Sequence, residues 1–200
     1  NRAIQHVLAD RLIAGVYNLT TNPEKGCSVG CDAYDILGCP AEYGADHRVV
    51  AEHDDTAVWL ERLRDTAYEG LPQKDRATWH INLAEALPCV DDWEPVRHAV
   101  CIAILEHVLT NQDDWCVEHL GSVLSLIRRT IDYHREPTEE VRSALRVEAH
   151  SLLNIFDLED EWEWNAVDCV RDSLSIGDTA MGGYILVSAV CSSKAAAHDP

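Results

Sequence analysis

The sequence predicts an all-α fold: a single-domain bundle of about seven or eight helices with a long N-terminal loop rich in cysteine and glycine. Apolar residues recur at helical spacing along most of the 200 residues. No segment alternates apolar and polar residues with β-branched enrichment. Proline, glycine and paired aspartates punctuate the chain at intervals that suit helix ends.

Ile4, Leu8, Leu12, Val16 and Leu19 mark a first helix over 2–19. Residues 20–46 then lose the period and read as a loop, with a short helical turn at 33–37. Connections of that length are usually functional or held by something. Asp54 and Asp55 can cap a helix through Val58, Trp59, Leu63 and Ala67 that Gly70 and Pro72 stop. Ala77, Ile81, Ala84 and Leu87 give the next, closed by Pro88. Asp91-Asp92-Trp93 opens another, with Pro95 in its first turn, where a missing N–H costs nothing. That helix is apolar nearly all round and is expected at the centre of the core. Asp113-Asp114-Trp115 opens a fifth, which ends near Arg128-Arg129. Thr138 caps a sixth, and 157–175 and 178–196 complete the series. The expected division is a core over 1–137, with its Cys/His loop at 20–55, and a helical extension over 138–200.

Lys and Arg number 16 against 35 Asp and Glu, a net charge of −19, and each third of the chain carries the excess. Such a surface cannot neutralise a phosphate backbone, which disfavours direct nucleic-acid binding and anionic membranes. A basic protein partner fits it. The eight cysteines are scattered, and Cys89, Cys101, Cys116, Cys169 and Cys191 lie among apolar helical residues. This usage suits a reducing, cytoplasmic compartment. The chain opens at Asn1 and not at a methionine, so the native start can lie upstream.

Chemistry concentrates in Gly26–His53. Cys27, Cys31, Cys39, His47 and His53 are all of types that ligate zinc, and Cys27-x3-Cys31 has a spacing zinc sites use. Zinc would also explain how a glycine-punctuated loop stays ordered. The second half lacks a matched pair: Cys39 precedes Pro40, and His47 and His53 lie six apart. A second expectation is a nucleophilic Cys27 or Cys31 activated by an imidazole. His53-Asp54 matches the two-letter signature of metal phosphohydrolases, although an N-cap role for Asp54 explains it more simply. No Glu-x-x-His pair occurs, which sets aside the di-iron bundle class. Arg62, Asp65 and Glu69 share one helical face and read as a solvated stripe. The acids Asp157, Glu159, Asp160, Glu161 and Glu163 interleave with Trp162 and Trp164, a pattern suited to a protein-binding surface.

GCSVGC at 26–31, followed by Trp59-Leu60-Glu61-Arg62-Leu63-Arg64-Asp65-Thr66 and Glu69-Gly70-Leu71-Pro72, resembles a family of uncharacterised phage, prophage and bacterial proteins. In that family a CSxGC loop precedes a WLxRLxDxxFEGLP segment and an alanine-rich helical tail. Here Tyr68 takes the phenylalanine slot, and Trp79 and Ala86-Leu87-Pro88 fit the downstream pattern. The likeness spans roughly residues 26–110, and the tail here is less alanine-rich. It implies a mobile element acting in the bacterial cytoplasm, with no activity attached.

Three functions therefore stand open. The first is a non-enzymatic interaction protein, in a counter-defence or nucleic-acid-mimic role. The second is a metal- or thiol-dependent enzyme centred on the 27–53 loop, and the third a small-molecule binder with a pocket between helices and loop.

Overall fold

The computed structural model describes residues 2–16, 18–42, 46–87, 90–110, 120–155 and 161–176, with backbone alone at 120 and 161–163. Among these residues the chain is all-α, and no regular strand forms. No described helix is long and apolar enough to cross a membrane. The contacts group into two compact units, Asn1–Trp93 and Glu94–Pro200.

The first unit holds α1 (Arg2–Leu8), α2 (Ser28–Leu37), α3 (Asp46–Asp54), α4 (Val58–Gly70) and α5 (Gln73–Ala86). The expected helix over 2–19 ends after Leu8. Asp10 adopts a left-handed φ of 52° and Gly15 one of 80°, which turns the chain out of the helix. The strap that follows pairs with itself. The Ile13 N–H donates to Gly26 O at 2.7 Å, and the Gly26 N–H donates to Arg11 O at 3.0 Å. Leu12 thus reaches the core while Leu8 stays 75% exposed, so the period that suggested one long helix belongs to two different structures.

Within the stretch read as loop, α2 and α3 are regular helices. Cys27 caps α2: its sulfur accepts the Gly30 N–H at 3.3 Å, a role more often given to Ser, Thr or Asp. Gly38 closes the helix in the left-handed region, as a C-terminal glycine does. Asp54 and Asp55 do not cap α4. Ala57 sits at its N-cap with no side-chain hydrogen bond, while Asp55 turns the corner at φ 54°. Cys27, Val29, Ala33, Val50 and Tyr68 form the core, flanked by Trp79, Ile36 and Val49.

The second unit holds α6 (Glu94–Thr110), α7 (Leu120–Arg135), α8 (Glu139–Leu153) and α9 (Glu161–Ser175). Its centre is α7, not α6. α7 packs on α6, α8 and α9 and buries Val123, Leu126, Ile127, Ile131 and Tyr133, whereas α6 buries one face through Cys101, Leu105 and Val108. α7 continues past Arg129 to Arg135. Thr138 caps α8 as expected, its hydroxyl accepting the Val141 N–H at 3.4 Å. The Asp113-Asp114-Trp115 start, the acids over 157–160 and the helix over 178–196 lie outside the described residues, as do Cys89, Cys116 and Cys191.

Candidate functional site

The five residues chosen from sequence go to different places, and no three of them bring ligand atoms together. Cys31 is buried, its sulfur 3.5 Å from the carbonyl oxygens of Glu24 and Gly26 and 3.6 Å from that of Arg11. Cys39 is exposed beyond the end of α2. His53 is half exposed and stands against Asp54, its Nδ1 2.8 Å from Oδ1. Cys27 and His47 both approach Asp65 of α4: His47 Nε2 lies 3.3 Å from Asp65 Oδ2, and Cys27, Asp65 and Glu69 hold ligand atoms within 4.8 Å of one another. Arg62, Asp65 and Glu69 are therefore not a solvated stripe. Asp65 and Glu69 are half buried, and Glu69 accepts the Gly15 N–H.

Neither thiol is prepared as a nucleophile. Burial, reinforced by the Asp65 carboxylate, drives the Cys27 thiol far above its ordinary range. Burial pushes Cys31 up to about 11 in spite of Arg11. Activation needs the opposite shift.

A second cluster has no forerunner in the sequence motifs. His6 of α1, Asp32 of α2 and His80 of α5 are buried together, with ligand atoms all within 4.8 Å. The two imidazoles lie nearly parallel, centroids 5.8 Å apart with 11° between the planes. Asp32 is also the meeting point of two guanidiniums. Arg2 Nε donates to Oδ1 at 3.0 Å, and Arg64 of α4 pairs closely with Oδ2. Arg64 is itself buried and donates to Glu61 Oε2 at 2.9 Å and to Ser28 O at 3.2 Å. Thr56 completes the chain with a hydroxyl donated to Glu61 at 2.8 Å. Burial would raise the Asp32 carboxyl, but Arg64, with His6 and Arg2, holds it below the usual carboxylate range. Glu61, also buried, ends on the raised side because burial outweighs Arg64 and Thr56.

This polar network borders a cavity of about 600 Å³ whose walls include Arg2, Asp32, Asp54, Arg64, His80 and Trp93. The Trp93 indole N–H donates to Asp55 O at 3.0 Å and so fixes one wall to the α3–α4 turn. His80 is 1% exposed, and neither of its ring nitrogens has a hydrogen-bond partner. Burial, then the Arg64 cation, lowers it to about 4, so the ring is neutral. A neutral imidazole offers one donor and one acceptor, and both are unanswered here.

Nothing in sequence spacing links His6 to His80. The accessible hint was Glu61 and Arg64, an i, i+3 charge pair interleaved with Trp59, Leu60 and Leu63 in the WLERLRD segment. No family model, curated protein or solved structure matches the chain.

Proposed function

We propose that the N-terminal unit is a ligand-binding module, a helical receptor that takes a small polar molecule into the cavity beside His80. The observation that supports this most directly is His80 itself. A buried polar group without a partner costs on the order of 1–3 kcal/mol, and this one sits in the wall of a cavity of about 600 Å³. That volume suits a small ligand, and convergent polar groups are what orient one. Asp32, Asp54, Asp55 and Asp91 outnumber Arg2 and Arg64 around it, which favours a neutral or cationic molecule over an anion. Native mass spectrometry and a thermal-shift screen with polar metabolites test the reading. A ligand should raise Tm in the natural chain and fail to do so in Ala84→Trp, which places an indole at the cavity's edge. Equal shifts in both proteins would remove the cavity from consideration.

The net charge of −19 supports a second reading, an acidic interaction protein that engages a basic protein partner. The phage and prophage resemblance suits such a role, with counter-defence or nucleic-acid mimicry as its form. Binding that weakens steeply with salt would identify it. The buried free thiols of Cys27, Cys31, Cys101 and Cys169 support a cytoplasmic setting for either reading.

A further inference from the structure

We propose that His6, Asp32 and His80 form a binding site for one divalent transition-metal ion of the zinc class, with an open coordination position facing the cavity. The site rests on the cavity reading only for the chamber its open position faces.

His6 is set up as metal-binding histidines are. Its Nε2 lies 2.8 Å from Asp35 Oδ2. A carboxylate only accepts, so Nε2 carries a proton, and in the neutral form that ligates a metal Nδ1 presents a lone pair. That outward hydrogen bond to a carboxylate is the usual second partner of a metal-bound imidazole. Nδ1 points to the cluster and has no hydrogen-bond partner. It stands 3.8 Å from Asp32 Oδ1, too far for a proton between them to make a hydrogen bond. In that neutral form Nδ1 and Asp32 Oδ1 face each other at a separation a shared cation would close.

His80 supplies the third donor. Both of its nitrogens are buried and unanswered, and the ring lies parallel to His6 at 5.8 Å, leaning edge-on against Tyr68. A neutral imidazole is the form that ligates. The guanidiniums of Arg2 and Arg64 on Asp32 do not disqualify the carboxylate. Ligating carboxylates are themselves hydrogen-bonded, and Oδ1 retains a lone pair toward His6. Glu61, Asp35 and Asp54 offset the two cations. Two imidazoles and one carboxylate suit zinc, cobalt(II) or iron(II), and three protein ligands leave a position for water or a ligand atom.

The Cys27 cluster is the weaker competitor because Asp65 Oδ1 is its one buried atom without a hydrogen-bond partner, against three ring nitrogens of His6 and His80. The Cys27 sulfur accepts from Gly30, Glu69 accepts from Gly15, and Asp65 Oδ2 meets His47.

The test uses the full chain, stripped with chelator and titrated with Zn²⁺ and then Co²⁺. One equivalent should bind, and Co²⁺ should show the visible d–d bands of a low-coordinate nitrogen and oxygen site without a thiolate charge-transfer band. His6→Ala and His80→Leu should abolish stoichiometric binding, while Asp35→Asn should weaken it by about 10-fold. Cys27→Ser should bind as the natural chain does. Circular dichroism would show that each variant is folded. Ala84→Trp should keep the metal even where it loses an organic ligand, so the two proposals fail separately. Absence of stoichiometric metal in the natural chain would overturn the site. So would binding that survives His80→Leu, or that Cys27→Ser removes.

Discussion

The same two helices build two clusters of opposite character. At the start of α2, Cys27 meets Asp65 and Glu69 of α4, where the Cys27 sulfur, Glu69 and Asp65 Oδ2 have partners within the protein and Asp65 Oδ1 does not. One turn further along α2, Asp32 meets Arg64 of α4, which also pairs with Glu61, and beside that network His6 and His80 leave three ring nitrogens unanswered. Satisfied polar groups consolidate a fold. Orphaned ones lower stability and persist where something outside the chain answers them. We therefore read the cysteine cluster as structural and propose the histidine cluster as the ligand site.

The largest effect should come from the ion network that separates the two. Arg64 is buried between Asp32 and Glu61. Arg64→Leu strands two buried carboxylates, and breaking a buried pair from one side costs about 3–5 kcal/mol. Urea unfolding of the N-terminal unit should show this loss at pH 7. A cost below about 1 kcal/mol, the range of exposed pairs, would mean that the network is hydrated.

A buried histidine elsewhere calibrates His80. His134 of α7 has one nitrogen against His98, with Nδ1 atoms 2.8 Å apart, and the other without a partner. Burial, then His98, Arg97 and Arg142, lowers it to about 3, against the smaller opposing pull of Glu94. Its folded-state value lies below the unfolded one. The unfolded chain therefore binds more protons between pH 6.5 and 3, and stability falls as pH drops through that window. His134→Gln cannot titrate. The stability difference between natural chain and variant should shrink by on the order of 2 kcal/mol between pH 7 and pH 4.5. A difference that stays flat with pH would show that His134 is not held neutral.

Cys27 gives a smaller change of a different kind. Cys27→Ala removes the acceptor from the α2 N-terminus, and lost caps cost about 1 kcal/mol. Cys27→Ser keeps an acceptor and should cost less. Thermal unfolding of both should rank them in that order. The reverse order would mean that the thiol's apolar packing, not its cap, matters most.

The helical class was legible because it rests on apolar spacing, which survives even where individual helices were misplaced. The boundaries failed where backbone conformation overrode the period: Asp10 and Gly15 end α1 early, and Cys27 starts α2 with a residue seldom read as a cap. The candidate site failed for a deeper reason. Sequence directed attention to thiols and imidazoles close together in the chain, whereas His6 and His80 come from α1 and α5 and meet only through packing. The stripe expected to pack in α5 was Ala77, Ile81 and Ala84, yet the residue it buries is His80. The burial of Glu61 and Arg64 was equally hidden, because charged residues are rarely buried unless paired, and the second partner of Arg64, Asp32, lies on another helix.

The smallest effect, and the one of opposite sign, separates the clusters most cleanly. In metal-free protein, His80→Leu replaces a buried, unanswered imidazole with an apolar side chain of similar bulk. It removes a desolvated polar group and breaks no hydrogen bond, so Tm in chelator should hold or rise, by the equivalent of about 0.5–1 kcal/mol. No such substitution is open at Cys27, whose sulfur is already engaged. Added zinc should then reverse the order, because the natural chain gains the free energy of binding and the variant gains none. A His80→Leu variant that is less stable than the natural chain in chelator would show that the imidazole has a partner of its own. The histidine cluster would then be as structural as the cysteine one.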